Sequence, residues 1–159
     1  MKKKLGIIFL CVVILLTGCA SSDASSVYDN DRKIASQSNT YNKVNYEMSE
    51  NNGTITLSCE VFEGMDTIWS YTASEDMKVN IRYSLKVDNG KAKLVQILPD
   101  GALETIVEVT DETEEADKVE KTLQLKKGKN RIKIIGGEDT AVKLELTLAF
   151  SSEKSTDGF

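Results

Sequence analysis

The sequence contains no histidine. That removes the commonest general base, the Ser-His-Asp and Cys-His catalytic arrangements, and the commonest zinc ligand. Proline occurs once, tryptophan once and cysteine three times in 159 residues. Cys11 lies in an apolar N-terminal run and Cys19 comes just after it, behind Thr17 and Gly18, so Cys59 is the lone cysteine of the remaining chain and has no internal disulfide partner. A four-cysteine zinc site is excluded on the same count. No phosphate-binding loop, dinucleotide fingerprint or nucleophile elbow is present. No apolar run approaches the roughly 20 residues of a membrane-spanning helix.

What is present begins at the N-terminus. Lys2, Lys3 and Lys4 precede an apolar stretch from Leu5 to Leu16, followed by the small residues Thr17 and Gly18 and then Cys19. A basic start, a short apolar centre and small residues at the cut make up a secretory signal. Leu16-Thr17-Gly18-Cys19 resembles the lipobox of bacterial lipoproteins: an aliphatic residue, a small residue, Gly or Ala, then Cys. The resemblance implies cleavage after Gly18, a diacylglycerol on Cys19, and a mature chain held at the outer face of the cell membrane. Two acyl chains hold a protein firmly where one binds marginally. The whole chain carries a net charge of −5, and removal of Lys2, Lys3 and Lys4 leaves −8. An acidic chain lacks the basic footprint of a nucleic-acid binder.

Residues 19–40 are small and polar, with Ala20-Ser21-Ser22-Asp23-Ala24-Ser25-Ser26 at their start. They read as a flexible tether with a reach of about 25 Å. A short helix or extra strand near Val27 to Ile34 is the alternative.

From residue 41 the pattern alternates with period two. Val44, Tyr46 and Met48 precede Asn51-Asn52-Gly53, and Ile55, Leu57, Cys59 and Val61 follow it. This predicts a hairpin with one buried face. Phe62-Glu63-Gly64-Met65-Asp66 reads as a turn before a short strand bearing Trp69 and Tyr71. Val79, Ile81, Tyr83, Leu85 and Val87 alternate strictly up to Asp88-Asn89-Gly90. Asn-Gly between alternating runs predicts another hairpin, returning through Lys91 to Leu98. The apolar residues Leu94, Val95, Ile97 and Leu98 on both sides of that strand imply cover on both faces or a bulge. Pro99-Asp100-Gly101 turns the chain, and Leu103, Val107 and Val109 mark the next strand. An acidic interval, 110–120, reads as a solvated loop. Leu123 and Leu125, then Ile132 and Ile134, flank Lys126-Lys127-Gly128-Lys129-Asn130. Gly136-Gly137-Glu138-Asp139 reads as a turn, and Val142 to Phe150 as a last strand.

The sum is an all-β antiparallel sandwich, jelly-roll-like, of about 8–9 strands over 41–151, with a polar tail at 152–159. The run from Leu125 to Ile134 resembles a strand-turn-strand of galactose-binding-like jelly rolls, among them carbohydrate-binding modules. The segments around Trp69, Tyr83, Gly90, Pro99 and Gly128 are similar to those of small uncharacterised Gram-positive lipoproteins, which brings no activity with it.

The functional expectation is a non-catalytic domain that binds a protein or a glycan at the cell surface, with no cofactor. Trp69 and Tyr71 share one strand face and are the candidate ligand-binding residues, set against a role in the core. A structural role in the envelope and a hydrolase built on paired carboxylates are the alternatives. Calcium at 111–120 is a minor one, because that interval lacks the acid-Gly-Glu order of an EF-hand loop. Cys59, in an alternating apolar stretch, is expected to be a small core residue. Replacing Cys19 by Ala is expected to abolish metabolic labelling by a fatty-acid probe. Label retained in the Cys19→Ala chain contradicts the lipobox reading.

Overall fold

The computed structural model describes residues 25–150. The signal segment, Cys19 and the tail at 152–159 lie outside the described residues. The elements in chain order are a 3-10 turn Ser25–Val27, α1 Asp31–Ala35, β1 Thr40–Val44, β2 Glu47–Asn51, β3 Thr54–Ala73, β4 Met77–Asn89, β5 Lys91–Ile97, β6 Leu103–Thr110, β7 Ala116–Leu125 and β8 Gly128–Phe150. All strand pairs are antiparallel.

Two strands dominate. β3 has 20 residues and β8 has 23, and they pair with each other from end to end. The first part of β3 joins the last part of β8, with β2 outside β3 and β4 then β7 outside β8. The last part of β3 joins the first part of β8, with β5 then β6 beyond β8 and β1 beside residues 61–65 of β3. The result is one continuous ladder folded over on itself into an antiparallel sandwich. Ile55, Leu57, Leu85 and Leu146 from one half share a single apolar core with Phe62, Leu94, Ile132 and Ile134 from the other. Tyr83 and Cys59 are buried there as well.

The fold-over explains two stretches that read as turns in the sequence. Residues 62–66 and 136–139 lie inside β3 and β8, where the chain bends without ending its strand. The β3–β8 register slips between Cys59 and Phe62 and between Phe62 and Gly64, as bulges do where a sheet must bend. Gly64 has φ +100, and a Cβ there would collide with the Thr40 carbonyl. A Cβ on Gly136 would collide with the backbone and ring of Phe62. Gly64 lets β1 lie close on β3, and Gly136 lets β8 lie close on β3.

The hairpin at Asn51-Asn52-Gly53 forms as expected, with Asn51 opposite Thr54 and positive φ at both Asn52 and Gly53. The expected strand before it is broken at Asn45, φ 51, so β1 lies on one half and β2 on the other. The hairpin expected at Asp88-Asn89-Gly90 does not form. β4 pairs with β7 and β8, while β5 pairs with β6 and β8. Gly90 has positive φ but Asn89 does not, so the paired left-handed residues of a tight hairpin turn are missing. The chain instead arches from one half to the other. It is held by Asn89 Nδ2 donating to the Asp139 carbonyl, Gly90 N to Asp111 Oδ2, and Lys91 N to Thr140 Oγ1.

β5 is covered on both faces. Ala92 and Leu94 enter the main core. Val95 and Ile97 enter a second one with Val27, Tyr28, Ile34, Met65 and Ile135. That second core corrects the tether boundary, because residues 25–39 dock across the outside of the sheet instead of hanging free. Asn30 caps α1 by accepting from Lys33 N. Tyr28 is buried, donates to Glu108 Oε1 at 2.8 Å, and lies under the ammonium groups of Lys91 and Lys93. Burial, then the Glu108 hydrogen bond, push its hydroxyl pKa far above the ordinary tyrosine range. At the other end of the segment, Arg131 donates to the carbonyls of Ala35 and Ser36, and Lys133 to those of Ser36 and Ser38. The acidic interval also differs from expectation in part: residues 116–120 belong to β7.

Lys133 has no exposed surface, and burial followed by the neighbouring Arg131 charge lowers its pKa from 10.5 to about 8, against an opposing pull from Asp66. Between those two values the unfolded chain keeps a proton that the folded chain has released. The group's contribution to stability therefore rises with pH across that window. The urea midpoint of Lys133→Met is expected to lose this increment between pH 8 and 10.5 relative to the wild-type chain. Parallel pH curves for the two proteins contradict the assignment.

Candidate functional site

β1 covers β3 only as far as Met65, so from Asp66 onward β3 is the edge strand of its half. β8 is likewise uncovered on its β3 side beyond Thr147, where the Thr54 pairing ends. Two uncovered strand ends thus face each other along one flank of the sandwich. Trp69 and Tyr71 alternate with Ser70 and Thr72 and project from the core side of β3, opposite Ile132 and Asn130 of β8. Phe150 projects from the core side of β8, opposite Val79 of β4.

The three rings meet in this gap. Trp69 and Tyr71 are nearly parallel, 9° between planes and 6.0 Å between centroids. Phe150 lies 4.8 Å from the Tyr71 ring and 6.4 Å from Trp69. Trp69 is half-buried with its base against the main core, whereas Tyr71 is 36% and Phe150 43% exposed. The two sequence candidates are therefore brought together and are open to solvent. Phe150 was not singled out from the sequence, because it closes an alternating strand and reads there as one more core residue. Its exposure follows from β8 outrunning β3 by three residues.

The surroundings of the rings are internally satisfied. Three residues before Trp69, Asp66 forms an ion pair of 2.6 Å with Lys43 and accepts from Asn39. The Lys43 ammonium lies 3.8 Å from the Tyr41 ring centroid and 3.6 Å from that of Tyr46, a cation–π clasp already filled by the chain's own lysine. Burial works to lower the Lys43 pKa, and the hydrogen bond and charge of Asp66 outweigh it, so the ammonium is held above its ordinary value. Beyond Tyr71, Asn130 is buried, accepts from Lys126 N and donates to the carbonyls of Lys126 and Gly128. The Lys126–Asn130 stretch is thus a clamped arch between β7 and β8, with its Gly and Asn serving geometry.

Among the described residues, the two carboxylates with a displaced pKa are both held in their charged form by lysines. Asp76 is pulled below its ordinary pKa, first by the hydrogen bond from Lys126 and then by the Lys127 amide. Asp88 is pulled down by Lys143 and then Lys86. A general acid needs the opposite displacement, a raised pKa. Glu120 pairs with Arg82 and Glu115 with Lys86 at the surface. Among the described residues no group of three or more acidic or cysteine side chains is placed to hold a metal ion. Cavities of about 610 and 510 Å³ open on the outer face of the β2-β3-β8-β4-β7 half, lined chiefly by paired charges, threonines and serines.

The fold and flank define an antiparallel β-sandwich with a half-exposed aromatic cluster along one open edge. No protein-family model and no curated protein matches the chain. Among solved structures it is similar to a carbohydrate-binding module of Cellvibrio mixtus lichenase 5A in complex with cellotriose: 12% identity over 69% of this chain and 88% of that one, TM-score 0.39. It is also similar to a mutant family 29 carbohydrate-binding module: 12% identity, 77% and 89% coverage, TM-score 0.36. The cupin domain of Drosophila melanogaster CENP-C follows at 13% identity, 71% and 75% coverage, TM-score 0.28. These overlays are loose, and resemblance at that level assigns no ligand.

The ring environments set the stability cost of removing each one. Tyr71→Ala and Phe150→Ala are expected to lower stability by about 1 kcal/mol or less. Trp69→Ala, seated against the core, is expected to cost about 2–3 kcal/mol. Urea denaturation measures all three. A cost for Tyr71→Ala above that of Trp69→Ala would show that the tyrosine, not the tryptophan, anchors the cluster.

Proposed function

We propose that the protein is a lipoprotein held through Cys19 at the outer face of the cell membrane, and that its sandwich is a non-catalytic binding module for a glycan. The observation that carries the ligand reading is the nearly parallel Trp69–Tyr71 pair, with Phe150 beside it, left in solvent at an uncovered edge. A soluble domain gains by burying large rings. Three of them kept together at the surface form an apolar platform with a fixed orientation. The C–H face of a pyranose ring is flat and apolar while its rim is hydroxylic. Parallel aromatic planes accept that face. A protein partner is the second reading, favoured by Tyr41, Val44 and Met48, which are exposed on the edge strands β1 and β2.

The test uses residues 20–159, which retain the docked segment 25–39, on a glycan array and on immobilised cell-wall polysaccharide. Wild type is expected to be retained, and Tyr71→Ala and Phe150→Ala each to weaken retention about tenfold, equivalent to 1.4 kcal/mol. Retention that survives in both variants removes the platform from the reading. Retention of neither wild type nor variant on any glycan, with capture of a protein that competes at Tyr41 and Met48, selects the second reading.

A further inference from the structure

We infer that segment 25–39 is a strap that seats the sandwich close to the membrane with its aromatic end facing away from the lipid. This rests on the reading of Cys19 as the site of lipid attachment.

The chain enters the sandwich at one level and passes the aromatic cluster at another. Tyr28 bonds to Glu108 and lies under Lys91 and Lys93. Lys93 is opposite Glu108 on β6 and Ile135 on β8, at the level where β3 and β8 fold over. From there the segment runs along the outside of the sheet to Ala35 and Ser36, whose carbonyls are held by Arg131. Arg131 is level with Ser70, between Trp69 and Tyr71. Tyr71 itself faces Asn130, five residues along β8 from Ile135, which is about 17 Å at about 3.3 Å per residue. The entry point and the aromatic cluster therefore lie at opposite ends of the β8 segment that both touch.

The strap also shortens the leash. A tether that ran free to Thr40 would put 21 residue steps after Cys19, or about 75 Å at full stretch. With residues 25–39 docked, six steps separate Cys19 from Ser25, about 22 Å at most. The fold-over end is thus kept near the headgroups. The rings at the far end are left facing whatever lies beyond the membrane surface. Val27, Tyr28 and Ile34 hold the strap by apolar burial, and Arg131 and Lys133 hold it by four charge-assisted bonds to carbonyls.

Trp69 is the chain's only tryptophan and reports its own height. The full chain, expressed in a lipidating bacterium and reconstituted in phosphatidylcholine–phosphatidylglycerol vesicles with nitroxide headgroups, is the sample. Vesicle flotation comes first, with Cys19→Ala as the control. Trp69 is then expected to be quenched by aqueous acrylamide and hardly at all by the lipid nitroxide. A dye on Ser26→Cys, at the entry end, is expected to be quenched by the nitroxide severalfold more strongly. Cys59 is buried and stays unlabelled. A Gly-Ser insertion ahead of Ser25 leaves the strap docked and is expected to relieve quenching at position 26. A protein that fails to float, or floats equally as Cys19→Ala, overturns the anchor and the inference with it. A floating protein whose Trp69 is quenched by the lipid as strongly as the dye at position 26 overturns the orientation alone.

Discussion

The structure depends on a single ladder, the β3–β8 pair, which serves both halves of the sandwich. Most sandwiches join two separate sheets through their side chains. Here the backbone itself passes from one half to the other, twice and side by side. Where β8 bends, its backbone lies against β3 at Gly136 and Phe62, and where β3 bends it lies against β1 at Gly64 and Thr40; any Cβ would intrude at either glycine. The remaining strands follow from it: β2, β4 and β7 add to one half, and β1, β5 and β6 to the other. The core between the halves is filled by the alternate residues of these strands. The arches at Gly90 and Gly128, both with positive φ, carry the chain across the same gap.

Folding a ladder over leaves one half with an apolar outer face. Met65, Val95, Ile97 and Ile135 point outward because the inward positions of β3, β5 and β8 are already taken. Residues 25–39 cover that face, which is why a polar, serine-rich stretch becomes part of the fold. Its three buried apolar side chains are too few to order it unaided. The cations Arg131 and Lys133 complete the docking by satisfying carbonyls that a five-residue helix and its exit leave open. The depressed pKa of Lys133 shows what that costs, since the oxygens that accept its hydrogen bonds, the Ser36 and Ser38 carbonyls, are neutral and the Asp66 charge offsets burial only in part.

Alternation was legible along the chain because a half-buried strand writes its burial directly into a period of two. Val79 to Val87 and Val142 to Leu148 fall on the core face as read. The Asn52-Gly53 hairpin and the Pro99-Gly101 turn were legible for the same local reason. Pairing partners were not. Asn89-Gly90 carries the signal of a hairpin, yet what happens there is decided by Asp111, Asp139 and Thr140, residues distant in sequence. Gly64 and Gly136-Gly137 were visible as breaks but not as bends, since glycine marks close backbone approach and chain reversal alike. The docking of Val27, Tyr28 and Ile34 was hidden because a helix of five residues is too short to show a period.

The aromatic cluster shows how a site arises from these constraints without any motif. A strand interior is covered on both sides, so its inward side chains are buried without exception. β3 is longer than β1 can cover, and β8 is longer than β3 can cover, so their final inward residues lie on uncovered edges. Small or polar side chains at those positions would have sealed the seam at no risk of aggregation, which is the usual treatment of an edge. The chain instead places Trp69, Tyr71 and Phe150 there, and their planes and spacing are fixed by strand geometry on one side and the core on the other. Pairing a strand in a partner protein requires free backbone along the edge and tolerates almost any side chain. A row of oriented rings adds what a bare edge lacks, a fixed apolar surface whose contacts come from side chains and not from backbone.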